Sequence, residues 1–289
     1  MKWLRPAAWA GLALLVPFAQ GRVEATRVPV AAQHQRLYLR TGSQVRRMFP
    51  GFEGLMASVY WLRAVQYFGH QRAFSADKNF DLLAPLIEIT NALDPRMELA
   101  YRYGAIFLSE EWPNGAGRAD LGIEVLEHGI QAIPDSWRLR WDLGNVWFFH
   151  LRDDKRASEV FLEASKIPGA PFWLHSLAAT VLQKGGHREV ARKLWSQQYE
   201  NVPEGEIRDN ALFHIQQIDA LDMSDALSTV AAHFRETTGR NPESPRDLVV
   251  GGLLARVPKD PSGVEFDYDG STGRFSIARR SKFWRRKYD

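Results

Sequence analysis

The chain has no cysteine in its 289 residues, which excludes disulfides, thiolate zinc sites and cysteine nucleophiles together. It also lacks the short motifs that carry much known chemistry. The histidines, at 34, 70, 128, 150, 175, 187, 214 and 233, show no His-x-x-x-His spacing that would set two imidazoles on one helix face for a metal ion. There is no Gly-x-Ser-x-Gly elbow, phosphate loop or dinucleotide fingerprint. The pairs Glu110-Glu111 and Asp153-Asp154 fall at expected helix ends, where acids are solvated or cap backbone N–H groups. These absences predict a chain that is not an enzyme, with no cofactor, no metal and no small-molecule substrate.

A long hydrophobic run is also missing. Lys2 and Arg5 precede an apolar stretch from Pro6 to Ala19 that is broken by Gly11 and Pro17, whereas a spanning helix needs about 20 apolar residues. The layout is that of an export signal or a short anchor. The small-residue sites Ala19-Gln20-Gly21 and Val23-Glu24-Ala25 are poor cleavage sites, so residues 1–30 are expected to stay as an anchor, with a cleaved signal or peripheral helix as the alternatives. Arginines at 22, 27, 36 and 40 follow the run, so charge does not orient it. The signal-like start favours the exported side for the soluble part, that is, an inner-membrane anchor with a periplasmic body.

Acids are scarce at both ends. Residues 22–47 carry six arginines and one acid, and residues 274–289 carry seven basic residues and one acid, which leaves residues 48–273 at −10 although the whole chain is at +3. An acidic body offers no basic face to a phosphate backbone, so nucleic acid is not an expected partner. The tail mixes Arg279, Arg280, Lys282, Arg285, Arg286 and Lys287 with Phe283 and Trp284. That mixture suits an anionic lipid surface or an acidic partner, against the alternative of a solvated terminus.

What is present is a beat. Pro95, Pro134, Pro168 and Pro203 each close a two-helix segment, at spacings of 39, 34 and 35 residues. Gly144, Trp147, Ala157 and Phe161 recur 34 residues later as Ala178, Val181, Ala191 and Trp195. Small stays small and large stays large, as expected where copied helical hairpins cross closely.

The order Leu143-Gly144, Trp147, Ala157, Phe161, Ala164 and Pro168 resembles the tetratricopeptide repeat family. The next unit reads Leu177-Ala178, Val181, Gly185-Gly186, Ala191, Trp195 and Pro203. The preceding one reads Tyr103-Gly104, Phe107, Leu126 and Pro134, with a loop inserted around Trp112 to Gly117. A degenerate fourth unit is expected from Phe52 to Pro95, with one helix through Leu55, Val59, Leu62 and Tyr67.

The resemblance implies a right-handed solenoid of helical hairpins whose first helices line a concave groove. Carried over by position, that groove holds Glu98, Tyr101, Ala105 and Leu108, then Arg138, Trp141, Asn145 and Phe148, then Phe172, His175, Ala179 and Leu182. The Lys and Asn rows that clamp a terminal carboxylate in some members are replaced by aromatics, which suits an apolar helix or extended peptide. Tyr101 and Trp141 fit either a groove wall or the core.

Helical periodicity continues through Ala211, Ile215, Ile218, Leu227, Val230 and Phe234, and predicts capping helices over 204–256. Val264, Phe266 and Tyr268, then Phe275 and Ile277, alternate with polar residues about an Asp269 to Gly273 turn and predict a β-hairpin. The run from Phe234 through Asp260-Pro261 and Gly263 to Gly273 resembles the carboxyl-terminal element of type II secretion pseudopilins. Asp267 and Asp269 read as turn carboxylates rather than cation ligands.

The expected organisation is therefore an anchor (1–30), a basic linker (31–51), repeats (52–203), caps (204–256), a hairpin (257–278) and a basic tail (279–289). The expected class is all-α, and the expected function is a protein interaction scaffold of a bacterial envelope complex serving secretion, pilus assembly or transport. A soluble accessory subunit gripping a membrane or an acidic partner by its basic ends, and an unrecognised enzyme or carbohydrate-binding protein, are the alternatives.

Overall fold

The computed structural model describes residues 22, 37 and 39–284. The expected anchor and the tail positions Arg285, Arg286 and Lys287 lie outside the described residues, apart from Arg22. Among those described, eleven α-helices and one two-stranded sheet make the chain all-α. None of the described helices is long and apolar enough to cross a membrane. The chain divides into two compact units, Met1–Pro134 and Asp135–Asp289, and the division falls at one of the four spaced prolines.

The first unit holds α1 (Gly42–Met48), α2 (Glu53–Ala73), α3 (Leu83–Leu93), α4 (Glu98–Ser109) and α5 (Ala119–Ala132). Thr41 starts α1, its hydroxyl accepting from the Gln44 N–H at 3.3 Å. Consecutive helices pack from α2 to α5, and α1 also lies on α3. Ala57, Tyr60, Ala64, Tyr67 and Phe68 form the buried stripe of α2 against Leu83, Leu86, Ile87 and Leu93 of α3, the three- and four-residue spacing of an amphipathic face. Phe107 of α4 stacks on Phe68 with centroids 4.1 Å apart and on Trp61 at 6.1 Å. The residues around Trp112 to Gly117 fold back on the end of α4, where the N–H groups of Ala116, Gly117 and Arg118 donate to Phe107, Glu110 and Leu108.

The second unit begins at α6 (Trp137–Asn145), which runs into a π-helical turn (Val146–His150). It continues with α7 (Asp154–Ser165), α8 (Trp173–Lys184), α9 (Arg188–Asn201), α10 (Glu206–Thr238), α11 (Pro245–Val250), β1 (Asp267–Asp269) and β2 (Arg274–Ser276). Ser136 and Asp153 cap α6 and α7, accepting from the N–H groups of Leu139 and Arg156. Each helix from α6 to α10 packs on the next. Ala157, Phe161, Ala178, Val181, Ala191 and Trp195 are all buried in one core with Ala211 and Ile218.

The region of the expected caps, 204–256, holds one long helix, α10, and the short α11. No glycine or proline interrupts residues 206–238, and α10 runs for 33 residues until Gly239 ends it in the left-handed conformation, at φ 75°. Its first half buries Ala211 and Ile218 against the repeat core, and its second half buries Leu227, Ala231 and Phe234 against Leu248, Phe266 and Phe275. Arg188 and Arg192 of α9 reach Asp219, Asp222 and Asp225 of α10. The hairpin pairs Tyr268 with Phe275. It is stitched to α10, with the Ser224 hydroxyl donating to the Phe275 carbonyl at 2.8 Å and the Phe275 N–H donating to Ser228 at 2.9 Å.

Candidate interaction surface

In the second unit two exposed aromatic residues, Phe172 and Trp173, stand at the start of α8 beside the half-buried Trp137 and Trp141 of α6. Trp137 and Trp141, one turn apart on α6, both meet Trp173 of α8 edge to face, each with centroids 6.4 Å apart. The Arg138 guanidinium lies 4.6 Å from the centre of the Trp137 ring, a cation over a π face. Phe172, just before Trp173, is 70% exposed. The expected residues Arg138, Trp141, Phe172 and His175 are thus brought onto one side of this unit. Trp137 and Trp173 complete the cluster, although the expected groove omitted both.

Beside the cluster lies a pocket of about 280 Å³ lined by Phe172, His175, Gln197, Gln198, Asn201, Val202 and Ile207. His175 Nδ1 stands 3.3 Å from Gln198 Oε1, and Ser176 shares the same amide at 3.1 Å. The lining combines Phe172, Val202 and Ile207 with the amides of Gln197, Gln198 and Asn201, a combination that can take an apolar side chain together with a backbone polar group. Its size is just under the roughly 300 Å³ at which small-ligand sites begin, which fits one anchor side chain better than a cofactor.

Other expected groove positions do different work. Asn145 donates its amide to the Trp141 carbonyl at 3.0 Å, so it ties its own helix. Phe148 lies in the π-helical turn, half-buried against the repeat core and edge-on to the exposed Phe149. Ala179 and Leu182 are buried.

In the first unit the carry-over lands in the core. Tyr101 is 3% exposed, and its ring lies where a Cβ on Gly129 of α5 would stand; Ala105 and Leu108 are also buried, and Glu98 is half-buried at the helix start. The reason is that α4 is packed by α3 on one side and α5 on the other, which engages positions 100, 101, 104, 105 and 108. The outward positions are Leu99, Tyr103 and Ile106, which the sequence reading did not assign to a surface. On α2 the outward residues are Phe52, Leu55, Val59, Leu62 and Val65. A second apolar stripe beside the core stripe was the signal for them.

At the carboxyl end, Arg279, Arg280 and Lys282 are exposed and Trp284 is 39% exposed. Lys282 donates to Gln216 at 3.3 Å. Phe283 is not a surface aromatic: it is buried, its carbonyl accepts from the Gln217 amide at 2.9 Å, and its ring meets Phe213 at 5.5 Å. Asp260 closes the Asp-Pro-x-Gly turn, accepting from Ser262, Val264 and Ser281. Asp269 accepts from Ser271 and Thr272. Among the described residues no group of three or more His, Asp or Glu side chains is arranged to hold a metal ion.

Comparison with known protein families, characterised proteins and solved structures finds no match to this chain.

Proposed function

We propose that this chain is a non-enzymatic, tetratricopeptide-like scaffold that holds a protein partner, as part of a bacterial envelope assembly to which its amino-terminal segment tethers it. The observation that carries the reading is the cluster that the half-buried Trp137 and Trp141 form with the exposed Phe172, Trp173 and Arg138 beside a side-chain-sized pocket. Aromatic and arginine side chains are frequent anchors of protein interfaces, and exposed apolar side chains gathered in one place mark an interaction site. The repeat reading is supported by size matching at 34 residues: Gly144 and Ala178 on first helices, Phe161 and Trp195 on second helices, all buried or in close contact.

Affinity capture of the tagged full-length protein from host membranes tests this, with wild type compared against the double variant Arg138→Glu and Trp141→Ala. Loss of a partner set with unchanged helicity is the expected result. Equal capture by both proteins contradicts it.

A further inference from the structure

Among its described residues the first unit carries an exposed apolar face. Met48, Phe49 and Phe52 protrude at the turn between α1 and α2, and Leu55, Val59, Leu62 and Val65 continue along the outside of α2, each between 36% and 61% exposed. Positions 52, 55, 59 and 62 repeat at helical spacing on the side opposite Ala57, Tyr60, Ala64 and Tyr67, the stripe that meets α3. From Phe52 to Val65 the stripe is about 20 Å long at 1.5 Å per residue. It is longer and more apolar than a chance scatter of exposed side chains.

The segment that forms this face is mostly basic. Residues 39–76 contain arginines at 40, 46, 47, 63 and 72 and a single acid, Glu53, although the body of the chain as a whole is acidic; Arg72 is paired with Glu110 at 3.0 Å. Arg40, Arg46 and Arg47 are exposed at the end of the face where Met48 and Phe49 protrude. Arg46 reaches back to the Ala92 carbonyl at 2.7 Å, and Arg63 flanks the stripe one turn from Val59. Ser58, at the margin of the stripe, donates its hydroxyl to the Gly54 carbonyl of its own helix at 3.0 Å, so it does not need water as a partner.

We propose that the α1–α2 turn and the outer face of α2 lie on an anionic lipid bilayer, with Met48, Phe49, Phe52, Leu55, Val59 and Leu62 entering the headgroup and acyl boundary and Arg40, Arg46 and Arg47 contacting lipid phosphates. A helix with a broad apolar face rimmed by arginine is the form that binds in the plane of a membrane interface. Arginine stems lie along apolar surface while their heads meet the phosphates. A groove for a peptide would recess its apolar residues; here Met48, Phe52, Leu55 and Leu62 are each more than half exposed. The inference concerns the first unit only, and it does not draw on the aromatic cluster of the second.

The natural chain has no cysteine, so a single introduced thiol can be labelled cleanly. Full-length Val59→Cys and, as a control on α5, Glu127→Cys carry an environment-sensitive fluorophore and are mixed with vesicles of phosphatidylglycerol and phosphatidylethanolamine, with and without nitroxide-bearing lipid. The label at 59 is expected to brighten and to be quenched by the nitroxide lipid, while the label at 127 stays in water. Replacing Arg46 and Arg47 together by glutamine is expected to lower the partitioning reported at 59 about thirtyfold, at about fivefold per arginine near an anionic surface.

A chain that binds the vesicles while the label at 59 remains in water overturns the proposal and assigns the contact to another segment. A label at 59 that is shielded without lipid quenching also overturns it, in favour of a protein or a second copy of the chain. Leu62→Cys repeats the reading one turn further on, which separates a local defect at 59 from failure of the idea.

Discussion

Gly144 of α6 lies directly against the ring of Phe161 of α7, so close that a Cβ at position 144 would overlap the ring carbons. The pair marks the crossing point of the two helices, and Ala178 and Trp195, each 34 residues further on, are fully buried in the same core. A leucine at 144 must push α6 off α7. Gly144→Leu is expected to lower unfolding stability by about 1–3 kcal/mol, the ordinary range for overpacking, as measured by urea unfolding followed by circular dichroism. An unchanged midpoint would mean that the crossing is elsewhere.

Tyr101 and Phe172 separate packing from surface. Tyr101→Ala removes a ring held against Gly129 in the core of the first unit and is expected to cost about 3–5 kcal/mol. Phe172→Ala removes a side chain that is 70% exposed and is expected to move stability by no more than about 0.5 kcal/mol. Thermal melts of the two variants check both; equal losses would contradict the placement of Phe172.

Acid should loosen the carboxyl-terminal element. Burial pushes the Asp260 carboxyl up, but hydrogen bonds from Ser262, Ser281 and Val264 outweigh it and hold the group below the usual carboxylate range. A folded value depressed below the unfolded one, about 3.9, gives stability that is present above the unfolded value and lost as pH falls through the folded one. Wild type is therefore expected to lose part of its stability below about pH 4. Asp260→Asn should start less stable at neutral pH and show a flatter acid limb. Parallel acid curves would remove Asp260 from the account.

Asp222 accepts from both Arg188 and Arg192 across the α9–α10 contact. All three side chains are between 29% and 48% exposed, so solvent screening discounts the attraction. Asp222→Ala is expected to cost at most about 1 kcal/mol and to cost less in high salt. A larger, salt-independent loss would show that the residue packs rather than pairs.

The parts of the fold legible in the sequence are those fixed by side-chain size or by breakers. Gly144 and Phe161 could be read because the same small and large residues return after 34 positions, and the hairpin at Tyr268 and Phe275 because alternation frames a turn. Tyr101 could not be placed, because whether a ring on α4 faces out depends on the absent side chain of Gly129, which lies in a different helix. The outward stripe of α2 was hidden for a related reason. A helix apolar on two sides does not announce which side its neighbours cover. Phe283 sits among cations in the sequence, and only the docking of its carbonyl on Gln217 buries it. Of the candidate surface, Arg138, Trp141, Phe172 and His175 were legible by position, whereas Trp173, which joins Trp137 and Trp141, follows from the packing of α8 on its neighbours.

The most direct test of the central claim is photo-crosslinking in the host from a light-activated side chain placed at Phe172, with one at Glu127 on α5 as a control. A discrete partner that is crosslinked from 172, absent from 127 and lost when Arg138→Glu and Trp141→Ala are added is the predicted result. No crosslink from 172 with the protein folded and correctly located, or a crosslink indifferent to those substitutions, would contradict the scaffold.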